Sequence, residues 1–193
     1  EVVRLAEGVI VALPGSRQLV PGRRIVGATL RVANLEKARR ALGGNASAAV
    51  CLRLIAARET PPTAALLLCP WTDMALDSDS LRRFGPDDGV LDTEIMSWFR
   101  DCYVRPENWS DPFASPLRGD LSAFPPTLVV VGGIDPLLDD GVRFARKLEQ
   151  AGRKVELQSY AGMPHDFMVF PGIDAGERAV ASICAFARSA LGG

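Results

Sequence analysis

FPPTLVVVGGIDPLLDDGVRFARKL, residues 124–148, carries the clearest structural signal in the chain. Thr127 to Val131 is a continuous apolar run bounded by Pro125-Pro126 and Gly132-Gly133, which predicts a strand buried on both faces. Asp135 to Ala151 follows as a helix, with Pro136 at its first position and Gly152 just past its end, where these residues suit helix starts and stops. Lys154 to Tyr160 (KVELQSY) then alternates as a strand near a sheet edge does. Strand, helix and strand in this order form a right-handed βαβ unit whose two strands are parallel neighbours.

The flanking sequence continues the alternation. Ala64 to Cys69 (AALLLC), closed by Pro70, reads as another central strand. Asn45 to Arg58 places Ala48, Cys51, Leu52 and Ile55 on one helical face, with Asn45 as N-cap. Leu91 to Tyr103 is an amphipathic helix started by Asp92 or Thr93, and Ala175 to Leu191 is a final helix. Gly8 to Leu13 (GVIVAL) reads as a first strand ending at Pro14-Gly15. From there to Gly44 the signal is weak: a short apolar run at Ile25-Val26, then a charged helical pattern in NLEKARRA. The class is α/β, a mostly parallel sheet flanked by helices. With 193 residues, 48% hydrophobic and 23% charged, residues 1–193 fit a single domain.

Net charge is −1, from 22 basic and 23 acidic residues spread along the chain, so no basic field exists for nucleic acid or an anionic membrane. The longest apolar stretches fall far short of the roughly 20 residues that span a bilayer. No charged segment leads into an apolar one at the start, which makes a cytoplasmic setting the expectation. Glu1 stands where a methionine would begin a natural chain. Cys51, Cys69, Cys102 and Cys184 lie in apolar runs with neither a CxxC pair nor a neighbouring histidine in sequence, so buried free thiols are expected and no metal or cofactor is called for.

Functional groups of an open parallel sheet gather at the carboxyl ends of its strands. Asp135 follows the TLVVV strand and His165 follows KVELQSY, so the βαβ unit brings a carboxylate and an imidazole within hydrogen-bond reach. Such a pair fixes the histidine tautomer and stabilises the imidazolium formed when it takes a proton from a nucleophile. Taken alone, Asp135 is better explained by a helix N-cap before Pro136, and His165, the single histidine, by a surface loop.

The blocks LCPWTDM (Leu68 to Met74), DPFASPL (Asp111 to Leu117), Phe124 to Leu148 and YAGMPHDF (Tyr160 to Phe167) resemble the hormone-sensitive-lipase group of α/β-hydrolase esterases. The resemblance runs from residue 43 to 193, while residues 1–42 diverge. It implies a partial α/β-hydrolase fold without the N-terminal strands and oxyanion segment, with Asp135 and His165 as triad acid and base acting on small-molecule esters. The family's GDSAGGN elbow corresponds to Arg39-Arg40-Ala41-Leu42-Gly43-Gly44-Asn45, where Ala41 stands in place of the serine. Two arginines do not suit a turn that needs small residues on both sides of its nucleophile. Neither GxSxG nor His-Gly-Gly occurs in the chain, and loss of oxyanion donors alone slows acyl transfer by about 10² to 10³. Ser47 lies within a helix, Ser16 in PGSRQ lacks the glycine two positions on, and Cys51 is core, so none replaces the serine. Trp71, Asp73, Asp111 and Ser115 read as fold support. The expectation is an inactive ester hydrolase; the alternative is a non-catalytic module that holds an apolar ligand. Absent N-terminal strands would also leave an apolar edge that promotes self-association.

Overall fold

The computed structural model describes residues 35–89 and 91–192. The expected strand at Gly8 to Leu13, Ser16 and the run at Ile25-Val26 lie outside the described residues. Helix α1 (Leu35–Ala56) leads to strand β1 (Ala65–Leu68), helices α2 (Asp79–Phe84) and α3 (Thr93–Tyr103), strand β2 (Thr127–Gly132), helix α4 (Leu138–Gln150), strand β3 (Val155–Tyr160) and helix α5 (Asp174–Leu191). The strands form a parallel sheet in the order β1-β2-β3, with Ala65 opposite Thr127 and Thr127 opposite Val155. Among the described residues this is the parallel sheet flanked by helices that the sequence predicts. No helix among the described residues is long and apolar enough to cross a membrane.

Successive side chains of a strand point to opposite faces, and β2 uses both. Val129 and Val131 join Leu67 of β1 against Ala48, Cys51 and Leu52 of α1 and Phe144, Ala145 and Leu148 of α4. Leu128 and Val130 face the other way, onto Phe167 and onto Ala175 and Ala179 of α5. Leu128 to Val131 are all fully buried, which at about 1.5–3 kcal/mol per large apolar side chain makes β2 the anchor of the sheet. Helix α4 approaches β2 closely at Gly141, where a Cβ would collide with Val131 Cγ1. A third apolar cluster, Trp71, Met74, Leu81, Leu91, Met96, Phe99 and Leu137, packs α2 and α3 onto the segments that leave β1 and β2.

Three expectations about helix starts meet different outcomes. Asp92 caps α3, its Oδ1 accepting from Glu94 N and Ile95 N at 2.8 Å. Asn45 is not an N-cap: α1 begins at Leu35 and runs through Gly43-Gly44, and the buried Asn45 amide donates to Ala114 O at 2.7 Å and accepts from the Tyr103 hydroxyl at 3.1 Å. The charged LEKARRA pattern from Leu35 extends the helix backwards, and a tertiary hydrogen bond takes the side chain that would otherwise have capped it. Helix α4 starts at Leu138 rather than Asp135, because the Asp135 carboxylate folds back onto Leu137 N at 2.8 Å and makes a turn of Asp135-Pro136-Leu137. The cap for α4 comes from α2: Ser80 Oγ accepts from Asp139 N at 3.1 Å and donates to Pro136 O, while Asp139 Oδ2 accepts from Ser80 N at 2.8 Å. Of the four thiols expected to be buried, Cys51 and Cys69 are, whereas Cys102 and Cys184 are exposed. Each of the latter sits on a helix whose apolar face is turned elsewhere.

The adjacent glycines of α1 are not equivalent. A Cβ at Gly43 would meet nothing within 4 Å, whereas one at Gly44 would lie 2.7 Å from Pro70 Cα. Gly43→Ala should therefore stabilise the chain by about 0.5–1 kcal/mol through helix propensity. Gly44→Ala should destabilise it by pushing α1 off the β1 exit. Urea unfolding of the two variants checks the pair, and equal shifts would contradict this seating of α1.

Candidate active site

Gly132 and Tyr160 are partners in the β2–β3 register, so the two strands end at the same edge of the sheet. Their exits are tied together at once, Gly133 N donating to Tyr160 O at 2.8 Å and Ile134 N to Met163 O at 3.1 Å. Gly132 lets the loops touch: a Cβ there would collide with Met163 O and lie 2.5 Å from Pro164 O. Gly162 turns the chain at φ +72°, a left-handed conformation that glycine adopts without cost. Asp166, at φ +52°, passes it into a single helical turn, Phe167–Val169. Phe167 is fully buried against Tyr160, with ring centroids 5.0 Å apart, and anchors the loop from below.

This folding brings the two predicted site residues together. His165 Nδ1 lies 3.0 Å from Asp135 Oδ2 and 3.2 Å from Oδ1, and both side chains are buried. Because Leu137 N also holds Asp135 Oδ1, the carboxylate is fixed from two sides before it meets the imidazole. Burial works against a charged His165, but the Asp135 carboxylate outweighs it and holds the imidazole well above its ordinary value of 6.5. The other imidazole nitrogen, Nε2, lies 3.7 Å from Asp166 Oδ2.

Cys69, read from sequence as one core thiol among four, belongs to this cluster as well. It is the first residue after β1, just as Asp135 and His165 follow β2 and β3, and it hydrogen-bonds the imidazole. The neighbouring histidine that its sequence lacks is supplied by the fold. Burial, reinforced by Asp135, pushes the Cys69 thiol up to about 11, so it is neutral and a poor nucleophile. Cys51 is pushed further by burial, to about 12. Ser47 spends its hydroxyl on Gly43 O at 3.0 Å, within α1. The stretch 39–45 that corresponds to a serine elbow is helical throughout.

Around the site, the blocks LCPWTDM and DPFASPL form one hydrogen-bonded frame. Asp140 Oδ2 accepts from Thr72 N at 2.6 Å and Asp73 N at 2.9 Å, and Met74 N donates to Ser115 Oγ at 2.8 Å. Trp71 Nε1 donates to Asp73 O at 2.7 Å, and Arg118 Nε to Asp73 Oδ1 at 3.0 Å. Burial raises the Asp140 carboxyl to about 7 despite the two backbone donors. A carboxyl raised above its unfolded value stabilises most when protonated, so its contribution is complete near pH 4 and lost as pH rises to about 7. Asp140→Asn keeps one accepting oxygen for the two amides and should cost under about 1 kcal/mol at neutral pH. Relative to the variant, wild-type stability should fall across that window, as urea unfolding at pH 4.5 and 7.5 would show. A difference independent of pH would contradict it.

The fold is shared with known proteins. The family described as alpha/beta hydrolase fold matches residues 40–169. An esterase of Acinetobacter venetianus is 38% identical over 149 residues, which are 76% of this chain and 49% of that protein. The chain belongs to the hormone-sensitive-lipase-type esterases of the α/β-hydrolase superfamily. Among solved structures, an esterase from the bacterial hormone-sensitive lipase family superposes with a TM-score of 0.74 at 33% identity, over 78% of this chain and 51% of that one. A thermophilic carboxylesterase from a metagenomic library gives 0.75 at 37% identity, over 78% and 53%. The chain thus spans about half the length of the relatives it matches.

Proposed function

We propose that this hormone-sensitive-lipase-type chain carries the acid and base of a carboxylic ester hydrolase, Asp135 and His165, without the serine they would activate. One observation supports this above others: the 3.0 Å contact between His165 Nδ1 and Asp135 Oδ2 at the carboxyl edge of the sheet. With Nδ1 committed to the carboxylate, Nε2 is the nitrogen through which the ring exchanges a proton with a nucleophile and then with a leaving alkoxide. Asp135 stabilises the imidazolium in between, and the substrate class is a carboxylic ester, the class that the names of the related esterases and carboxylesterase support.

The missing component is regional. Ala41 lies on a continuous helix, whereas the nucleophile of this fold sits on a sharp strand-to-helix turn. The purified chain should therefore hydrolyse p-nitrophenyl butyrate no faster than His165→Ala does, and Ala41→Ser alone should add nothing. Turnover that His165→Ala abolishes would sink the inactivity claim, and an efficient Ala41→Ser esterase would overturn the account of residues 35–45.

A further inference from the structure

The sulfur of Cys69, a carboxylate oxygen of Asp135 and an imidazole nitrogen of His165 all lie within 4.8 Å of one another, and all three residues are buried. They come from the segments that leave three adjacent strands of one sheet. Thiolate, imidazole and carboxylate together are a donor set of Zn²⁺, which binds them at about 2.3, 2.0–2.1 and 2.0–2.2 Å in tetrahedral geometry. Donors on one such ion are about 3.4–3.6 Å apart, as those bond lengths require. The Asp135–His165 pair already stands at 3.0 Å, so small side-chain adjustments close the triangle.

We propose that Cys69, Asp135 and His165 form a site for a single thiophilic divalent cation, with Zn²⁺ as the physiological candidate and Cd²⁺ as a spectroscopic equivalent. The ion displaces the thiol proton and the extra proton of the imidazolium, and both leave to solvent: Cys69–SH, protonated His165 and Zn²⁺ become a Cys69 S–Zn bond, a His165 N–Zn bond and two H⁺. The imidazole donates a nitrogen lone pair and Asp135 a carboxylate oxygen, while water completes the fourth position, as in open zinc sites. Asp166, whose Oδ2 is 3.7 Å from His165 Nε2, adds negative charge beside the ion. Mg²⁺ and Ca²⁺ prefer six or more oxygen ligands and find only one carboxylate among the three donors. Occupancy ties up the imidazole and would switch off proton transfer by His165. The site stands on donor geometry alone, so it holds whether or not His165 serves ester hydrolysis.

The test is titration of the chelator-treated chain with Cd²⁺, read by ultraviolet thiolate-to-metal charge-transfer absorption, together with thermal unfolding in Zn²⁺. One equivalent should produce the band, Zn²⁺ should compete it away and raise Tm, and Mg²⁺ should do neither. Cys69→Ala and Cys69→Ser, checked for folding by circular dichroism, should each weaken binding by more than about 100-fold, beyond the usual cost of losing an outer-sphere partner. The double variant Cys102→Ser/Cys184→Ser, lacking the exposed thiols, should retain full binding. His165→Gln should lose the Tm shift regardless of any effect on ester turnover. No band in the wild type, a band that survives in a folded Cys69 variant, or one lost with the exposed cysteines would each overturn the proposal.

Discussion

Gly132→Ala should lower stability by about 1–3 kcal/mol and separate His165 from Asp135, although neither residue is changed. The added Cβ would be driven against two backbone carbonyl oxygens, those of Met163 and Pro164, the latter at 2.5 Å. A flexible side chain could swing aside, but this loop cannot: Ile134 N holds Met163 O at 3.1 Å and Phe167 is locked in the core behind it. Relief requires the loop to lift from the end of β2, and the 3.0 Å contact at His165 Nδ1 lifts with it. Gly132→Val adds two further methyl groups and should unfold the chain more severely. Thermal melts give the first readout, at roughly 2–4 °C per kcal/mol for a chain of this size. The second is the hydrogen-bonded Nδ1 proton resonance of His165, which should vanish in Gly132→Ala while the fold persists. Survival of both Tm and that resonance would mean the loop is not seated on β2 as described.

That dependence on one glycine shows why the sequence was informative about some parts of the site and silent about others. Strand β2 and the acid after it were legible because Thr127 to Val131 is a continuous apolar run framed by Pro125-Pro126 and Gly132-Gly133, a local pattern that tertiary packing only reinforces. Strand β3 was legible from the alternation of KVELQSY, and the chirality of the connection set it, with His165, beside β2. What could not be read is what depends on contacts between distant segments. Helix α2 is six residues long and shares its N-terminal hydrogen bonds with α4 through Ser80 and Asp139, 59 positions apart. Asn45 carries a capping signal, yet its amide is taken by Ala114 O, 69 positions away. Cys69 gave no sign of chemistry because its proximity to His165 requires β1 and β3 to flank β2, and the order β1-β2-β3 is a property of the sheet. A rule that treats the first residues after every parallel strand as one cluster would have found it.

Removing the acid should have the largest effect of all, and its pH dependence identifies the cause. Asp135→Ala leaves a buried imidazole without its counter-charge and Leu137 N without its acceptor, a loss of about 3–5 kcal/mol for a broken buried pair. In the wild type His165 is held well above 6.5, so the pair's contribution is complete below about pH 6.5 and lost as pH rises through the folded value. In Asp135→Ala burial acts with much less opposition, so the ring resists protonation and the variant loses stability as pH falls. The gap between the two proteins should therefore widen from pH 9 to pH 6 when urea midpoints are compared. Asp140 titrates in both chains and cancels in the difference. Asp135→Asn separates the two parts of the loss: its amide oxygen can still accept from Leu137 N and from the ring N–H, but it carries no charge. It should recover part of the stability at pH 9 and little of it at pH 6. If instead Asp135→Asn matched the wild type at both pH values, the carboxylate would be serving only as a turn-forming hydrogen-bond acceptor, and its assignment as the acid that supports His165 would fail.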